Sequence, residues 1–182
     1  MDAVTINNAG ADVTLGANFS TTALTLSAGA LDDGGNTITI FGNPDLSGGT
    51  FTSSGTVTLS GGAVQTITGN ITFNNLSISK SGGSASFGGN ITVDATLSTA
   101  AANFNISMIG GTNSVANAVN FINTGSLTLG DGGDSFTFDG GVDTDGGPSG
   151  TNIAGTITTS NDTIALGALT LDGASSLDTG AG

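Results

Sequence analysis

Apolar and polar residues alternate along this chain in short units. A typical unit places two aliphatic residues on either side of a threonine, as in Val4-Thr5-Ile6, Ile38-Thr39-Ile40 and Ile91-Thr92-Val93. Neighbouring side chains of a β-strand point to opposite faces, so each unit sends two apolar groups inward and one hydroxyl outward. No stretch repeats apolar residues at the helical spacing of about 3.6, and Val, Ile, Thr and Phe favour strands. The pattern predicts an all-β protein.

Glycine-rich clusters separate the units and divide the chain into repeats. Gly34-Gly35-Asn36 and Gly61-Gly62 are two of these clusters. Gly and Asn tolerate a positive φ, so each cluster indicates a bend. Ile38 precedes Val57 by 19 positions, and we take Ile78, 21 positions after Val57, as the next equivalent residue. A period of about 20 residues is typical of repeat proteins.

Short strands and few large residues favour a β-solenoid. A β-sandwich commonly has strands of about five or six residues around a core about 10 Å thick. The units here are shorter, and nine Phe are the only aromatic residues. Coils of about 20 residues, stacked about 4.8 Å apart with corner Asn and Ser side chains aligned, make roughly nine rungs. We predict a parallel β-helix, with an antiparallel β-sandwich of the immunoglobulin type as the alternative that the strand spacing also permits.

The composition excludes several classes of function. All 14 acidic residues are aspartate, Lys80 is the only base, the formal net charge is −13, and His and Cys are absent. These absences exclude zinc sites built from His and Cys, Ser-His-Asp catalysis, and neutralisation of a nucleic-acid backbone. The sequence therefore predicts no enzymatic activity, no cofactor, no nucleic-acid partner, and no catalytic, cofactor-binding or metal-binding residues.

Residues 1–182 are interpreted as one solenoid segment, expected to belong to a longer repeat protein. Residues 139–151 have one aliphatic residue, Val142, and are expected to loop out of the rod. No signal peptide follows Met1, and no apolar run approaches the roughly 18 residues of a membrane-spanning helix. Neither end carries a predicted capping helix, so end-to-end association of copies is also expected.

Two groups of aspartates are candidates for chemistry. Asp32 and Asp33 form an adjacent acid pair of the kind a polysaccharide hydrolase needs, but neighbours in a strand point apart, so a solvated turn is expected. Asp139, Asp143 and Asp145 could bind Ca²⁺ loosely, although the closing Glu of a calcium loop is missing.

Hydroxyl pairs and the single lysine have simpler interpretations. Thr-x-Thr pairs, which mark ice-binding solenoids, occur at 37/39, 50/52, 56/58, 66/68 and 156/158. Their irregular spacing predicts no regular ladder, and strand propensity explains them. Lys80 lies in a Ser-Lys-Ser-Gly stretch interpreted as a turn, where substitution should have little effect.

Two stretches, AVQTITGNITFNNLSISKSGG (63–83) and GTITTSNDTIALGALTLDGASSLDTGAG (155–182), resemble the repeats of large bacterial surface proteins. These are the filamentous-haemagglutinin-like and autotransporter-like β-strand-repeat adhesins, and the resemblance covers nearly the whole chain. It implies a right-handed parallel β-helix, secretion across the outer membrane, and a role as adhesin, matrix component or stalk.

The main functional expectation is a non-enzymatic structural or adhesive β-solenoid on the bacterial cell surface. Its expected partner is a cell-surface or matrix component, with carbohydrate among the candidates. The alternatives are a self-assembling filament or surface-layer subunit, a carbohydrate-binding or carbohydrate-cleaving β-helix, and an ice-binding solenoid. A groove lined by stacked Asp and exposed aromatic residues would favour the carbohydrate alternative, which the absence of Trp and Tyr disfavours.

Overall fold

The protein is built from short β-strands that pair in parallel. The computed structural model describes residues 2–180, and this range contains 22 strands and no helix, hence no helix that could cross a membrane. Every strand pairing in this range is parallel. The predicted all-β parallel β-solenoid is confirmed, and the alternative of an antiparallel sandwich is wrong.

The strands follow one another at short intervals along the chain. They are β1 (Val4–Thr14), β2 (Phe19–Thr21), β3 (Leu24–Asp32), β4 (Thr37–Ile40), β5 (Pro44–Asp45), β6 (Thr50–Thr52), β7 (Thr56–Gly61), β8 (Gln65–Ile67), β9 (Ile71–Phe73), β10 (Asn75–Lys80), β11 (Ser84–Phe87), β12 (Ile91–Val93), β13 (Leu97–Thr99), β14 (Asn105–Met108), β15 (Thr112–Val115), β16 (Val119–Asn120), β17 (Ser126–Phe138), β18 (Val142–Asp143), β19 (Gly150–Thr159), β20 (Ile164–Ala165), β21 (Leu169–Leu171) and β22 (Ser176–Asp178).

The coils contribute strands to three faces, which we name A, B and C, and within the described residues the last coil supplies only faces A and B. The long strands β1, β3, β17 and β19 each supply face A with their first part and face B with their second part. Face A also contains β5, β8, β11, β14 and β21, and face B also contains β6, β9, β12, β15 and β22. Face C contains β2, β4, β7, β10, β13, β16, β18 and β20. The nine levels of faces A and B agree with the prediction of roughly nine rungs.

The register on face C is regular but differs from the predicted one. Ile38 pairs with Val57, as expected, and Val57 pairs with Leu76, again 19 residues further on. The predicted equivalence of Val57 and Ile78 is therefore wrong by two residues. Alternation fixes the face to which a side chain points, but a slip of two residues preserves that face.

The core is a narrow apolar column along the axis. Its largest members are buried Phe side chains, and the rings of Phe136 and Phe138 stack with their centroids 6.2 Å apart. Phe121 meets Phe138 edge-on at 6.4 Å. Such aromatic pairs add about 0.5–1.5 kcal/mol to the stabilisation from buried area.

Polar corners connect neighbouring coils. Asn70 Oδ1 accepts the backbone N–H of Asn90 at 2.8 Å, and Asn90 Oδ1 accepts that of Thr112 at 3.1 Å. Gly83 has a φ of 67°, and a Cβ there would lie 2.6 Å from the carbonyl oxygen of Ala63 in the coil before it. The predicted alignment of corner Asn residues is confirmed.

The segment 139–151 follows the rod more closely than expected. It contains β18, and Val142 is buried and pairs with Val119 on one side and Ile164 on the other. These partners are 23 and 22 residues away, close to the length of one coil. The expectation that the whole segment loops out is wrong, because Val142 and Thr144 are buried and this part of the segment packs as a coil of the rod.

Candidate functional site

The outward side chains of face C form a two-column array, which we call the hydroxyl grid. Thr39 lies opposite Thr58, which lies opposite Ser77, which lies opposite Ser98. A second column lies two residues earlier on each of these coils. The grid consists of Thr37, Thr39, Thr56, Thr58, Asn75, Ser77, Thr96 and Ser98.

The grid makes a regular lattice of polar groups. Equivalent positions are about 4.8 Å apart between strands and about 6.7 Å apart along a strand. Two Thr-x-Thr pairs, 37/39 and 56/58, are stacked in register here. The other three pairs lie on other faces, so the five pairs form no regular ladder beyond this one step, and the columns continue with Asn75, Ser77, Thr96 and Ser98.

Asparagine amides align the second column of the grid. The backbone N–H of Thr37 donates to Asn18 Oδ1 at 3.0 Å, and that of Thr96 donates to Asn75 Oδ1 at 3.2 Å. Asn75 Nδ2 in turn donates to the carbonyl oxygen of Gly55 at 3.1 Å. These bonds use backbone and amide groups, so they leave the threonine and serine hydroxyls of the grid available to an outside partner.

Two open depressions lie in line along face C, and we call them together the face C groove. The first has a volume of about 460 Å³ and is lined by the grid. The second has a volume of about 340 Å³ and is lined mainly by small residues, with Asn120 and Asp143 among the polar ones. Asn120 pairs with Asp143, and Asp143 with Ala165, in a three-stranded sheet whose strand β16 contacts β13, the last strand of the sheet under the grid. The groove therefore runs along the rod axis.

An exposed aromatic side chain follows the first strand of the grid. Phe41 directly follows β4 and is 36 % exposed, the most exposed of the nine Phe residues. By alternation it is the next outward residue after Thr37 and Thr39. Its ring lies near Gly61 of the following coil, where a Cβ would meet Phe41 Cδ1 at 3.5 Å. Phe41 is therefore the one Phe side chain that is well exposed in a chain without Trp or Tyr.

Two buried polar side chains hold the backbone on either side of Phe41. Gln65 Nε2 donates to the carbonyl oxygen of Ile40 at 2.9 Å and to that of Gly42 at 2.7 Å. Lys80 Nζ donates to Gln65 Oε1 at 2.7 Å. The chain's one glutamine and its one lysine therefore both fix the corner that presents Phe41.

The position of Lys80 also determines the charge of the surface. Lys80 is the last residue of β10, points inward and is 2 % exposed, so its interpretation as a turn residue is wrong. Burial lowers the pKa of its ammonium group. Because Lys80 is the only base, the protein presents no basic side chain to solvent.

Asp33 is a structural residue of a corner. It is completely buried, and its Oδ1 accepts N–H groups of Gly35, Ser54 and Gly55 at 3.0, 2.9 and 2.9 Å. Burial alone would raise the pKa of Asp33, but the hydrogen bonds from Ser54 and Gly35 outweigh it and lower the pKa. The solvated turn expected for Asp32 and Asp33 is therefore wrong for Asp33.

The aspartates proposed for Ca²⁺ are engaged separately. Asp139 Oδ1 accepts the hydroxyl of Ser160 at 3.0 Å, and Asp143 Oδ1 accepts the N–H of Asp145 at 2.8 Å. Within residues 2–180, no group of three acidic side chains is placed to hold a metal ion. The structure does not bring Asp139, Asp143 and Asp145 together as such a site.

Comparison with known proteins adds no relative. No family model matches the chain, and no curated protein and no solved structure matches it. The fold is therefore established by the structure, and function has to be argued from face C, the surface charge and the end coils.

Proposed function

We propose that this chain is a non-enzymatic structural and adhesive segment of a bacterial surface protein, located outside the cell. The observation that carries the proposal is the stack of about nine parallel coils around one apolar column. Hydrogen bonds between coils run along the axis and make a stiff rod about 40 Å long. Such a rod can hold a binding surface at a fixed distance from its anchor.

The surface chemistry supports an extracellular role. Twelve of the fourteen aspartates are at least partly exposed and the single lysine is buried, which gives an acidic exterior rich in hydroxyl groups. A net charge well away from zero keeps a protein soluble and limits non-specific association. The non-enzymatic assignment rests on the sequence, which has no His or Cys to act as nucleophile or general base.

Bead attachment and electron microscopy test this proposal. Beads coated with the purified chain should attach to some members of a panel of matrix proteins, bacterial envelope fractions and polysaccharides. In electron micrographs, the protein itself should form short straight rods. Attachment to no member of the panel, or turnover of a polysaccharide by the chain, would contradict the proposal.

The end coils favour a second candidate, a self-assembling filament. At one end, an apolar cavity of about 130 Å³ is lined by residues of the first two coils, including Val4, Leu15 and Phe19. At the other end, Leu171 is 54 % exposed, and Leu177 is also exposed. A second copy stacked head to tail would cover both apolar ends and continue the parallel pairing.

Substitution at one end tests the filament. If copies stack, the chain should form fibres that lengthen with concentration, and Leu171→Asp should reduce them to single rods. The neighbouring exposed Thr170→Asp is the matched control and should disturb the contact less. Single rods of the unaltered chain at all concentrations, measured by light scattering, would exclude the filament.

A further inference from the structure

We propose that the face C groove binds a neutral linear polysaccharide lying along the rod axis, with Phe41 stacking on one sugar ring. This inference rests on the proposed adhesive function and names its partner. It begins from the shape of face C, where two depressions lie in line over the seven strands from β4 to β20. Six steps of about 4.8 Å give a groove about 29 Å long, enough for several sugar residues.

The lining of the groove matches a hydroxyl-rich polymer. The grid offers a regular series of hydroxyls that can donate and accept hydrogen bonds. Further along, Asn120 adds an amide, and the small side chains of Ala118, Gly141 and Ala165 leave room for a ring. A repeating polymer can bond to successive rungs, because the protein surface also repeats.

Phe41 supplies the apolar contact that sugar rings need. Aromatic faces bury the C–H surface of a ligand at a low cost in side-chain entropy. The ring stands at the edge of the grid, and Gln65 fixes its backbone through the carbonyl groups of Ile40 and Gly42. The backbone that carries the ring is thus already ordered before binding, which reduces the ordering cost.

Charge selects a neutral polymer. Acidic polysaccharides would be repelled by a chain of net charge −13 whose single base is buried. A flat lattice of ordered water is the other partner that hydroxyl columns suggest. Phe41 stands beside the grid, and Ala118 and Gly141 interrupt its columns, so the groove suits a narrow polymer better than a plane of ice.

Binding to three defined polymers tests the inference. Affinity electrophoresis in gels containing a soluble neutral β-glucan, a neutral mannan or polygalacturonate should show retardation by at least one neutral polymer and none by polygalacturonate. Phe41→Ala should weaken the retardation about tenfold, and Thr58→Val, which removes one hydroxyl at nearly constant volume, about two- to tenfold.

Matched controls lie away from face C. Thr128→Val alters an outward threonine of face A, and Val64→Ala shortens an exposed apolar side chain at a corner. Both should retain full binding, and all four variants should keep the thermal unfolding curve of the unaltered chain. If Phe41→Ala or Thr58→Val fails this check, Ser77→Ala, which removes another grid hydroxyl, takes its place.

Several results would overturn the inference. These are no retardation by either neutral polymer, equal retardation by polygalacturonate, or retardation that the face C variants leave unchanged. Thermal hysteresis that Thr58→Val abolishes would instead identify face C as an ice-binding surface. Beads that attach to matrix proteins but to no glycan would overturn the glycan inference while leaving the adhesive function in place.

Discussion

Lys80 shows how far the alternating pattern can be trusted for a single residue. Leu76, Ile78 and Lys80 occupy the inward positions of β10, so the alternation itself indicates that the lysine points inside. The charge of its side chain favoured an exposed turn, but in the structure Lys80 points inward, as the alternation indicates. Its partner Gln65 lies on another strand 15 residues earlier, and such a contact could not be found without the register.

Substitution of Gln65 and substitution of Lys80 should lower the free energy of unfolding by different amounts. Gln65→Leu leaves the Lys80 ammonium and two carbonyl groups without partners, so we expect a loss of about 3–5 kcal/mol in the free energy of unfolding. Lys80→Met removes a buried charge while leaving one amide oxygen unpaired, so the loss should be smaller, about 1–3 kcal/mol. Urea denaturation measures both. Ser79→Ala, an exposed neighbour, serves as the control, and equal costs for the two variants would contradict the assigned contacts.

Asp33 predicts a pH dependence whose sign follows from its lowered pKa. A carboxyl group with a folded pKa below its unfolded value of about 3.9 stabilises the fold above that pH. This contribution is lost as the pH falls through the folded pKa. Asp33→Asn should therefore be less stable than the unaltered chain at pH 7, by about 1–3 kcal/mol, and the difference should shrink in acid.

Denaturation midpoints between pH 7 and pH 2 measure this difference. Comparison of the two proteins at each pH cancels the repulsion among the other aspartates, which also changes in acid. Asp94→Asn, at an exposed position, is the control. A difference for Asp33→Asn that stays constant down to pH 2 would contradict the buried, hydrogen-bonded carboxylate.

At the scale of the elements, the direction of side chains was predictable and the register was not. Units such as Ile38-Thr39-Ile40 became strands with both aliphatic residues buried. The hydroxyl grid escaped prediction because Ser77 and Asn75 continue columns begun by threonines. A search for Thr-x-Thr alone cannot detect a column whose chemistry is kept while the residue type changes.

A charged side chain introduced at an inward position of a strand should abolish folding, whereas one introduced at an outward position should not. Ile38→Asp or Val57→Asp places a carboxylate in the apolar column with no partner, so we expect the fold to be lost. Thr39→Asp, one residue from Ile38 but outward, should retain the fold. Circular dichroism and thermal unfolding distinguish the two classes of variant. An unchanged unfolding curve for Ile38→Asp would contradict the inward assignment.

At the scale of the whole molecule, the period of about 20 residues predicted the number of coils but not their cross-section. The glycine clusters are unevenly spaced, and long strands such as β1 and β17 bend from one face to the next within a single strand. A sequence pattern cannot distinguish such a bend from a straight strand. Face C, the groove and the position of Phe41 therefore emerge only once three faces are established.

The central claim is the parallel stacking of coils in register, and nuclear Overhauser spectroscopy of the isotope-labelled 17.4 kDa chain tests it most directly. We predict backbone cross-peaks of the parallel type linking Thr39 to Thr58, Thr58 to Ser77, and Ser77 to Ser98. Cross-peaks of the antiparallel type between neighbouring strands, or partners at other separations along the chain, would contradict the account.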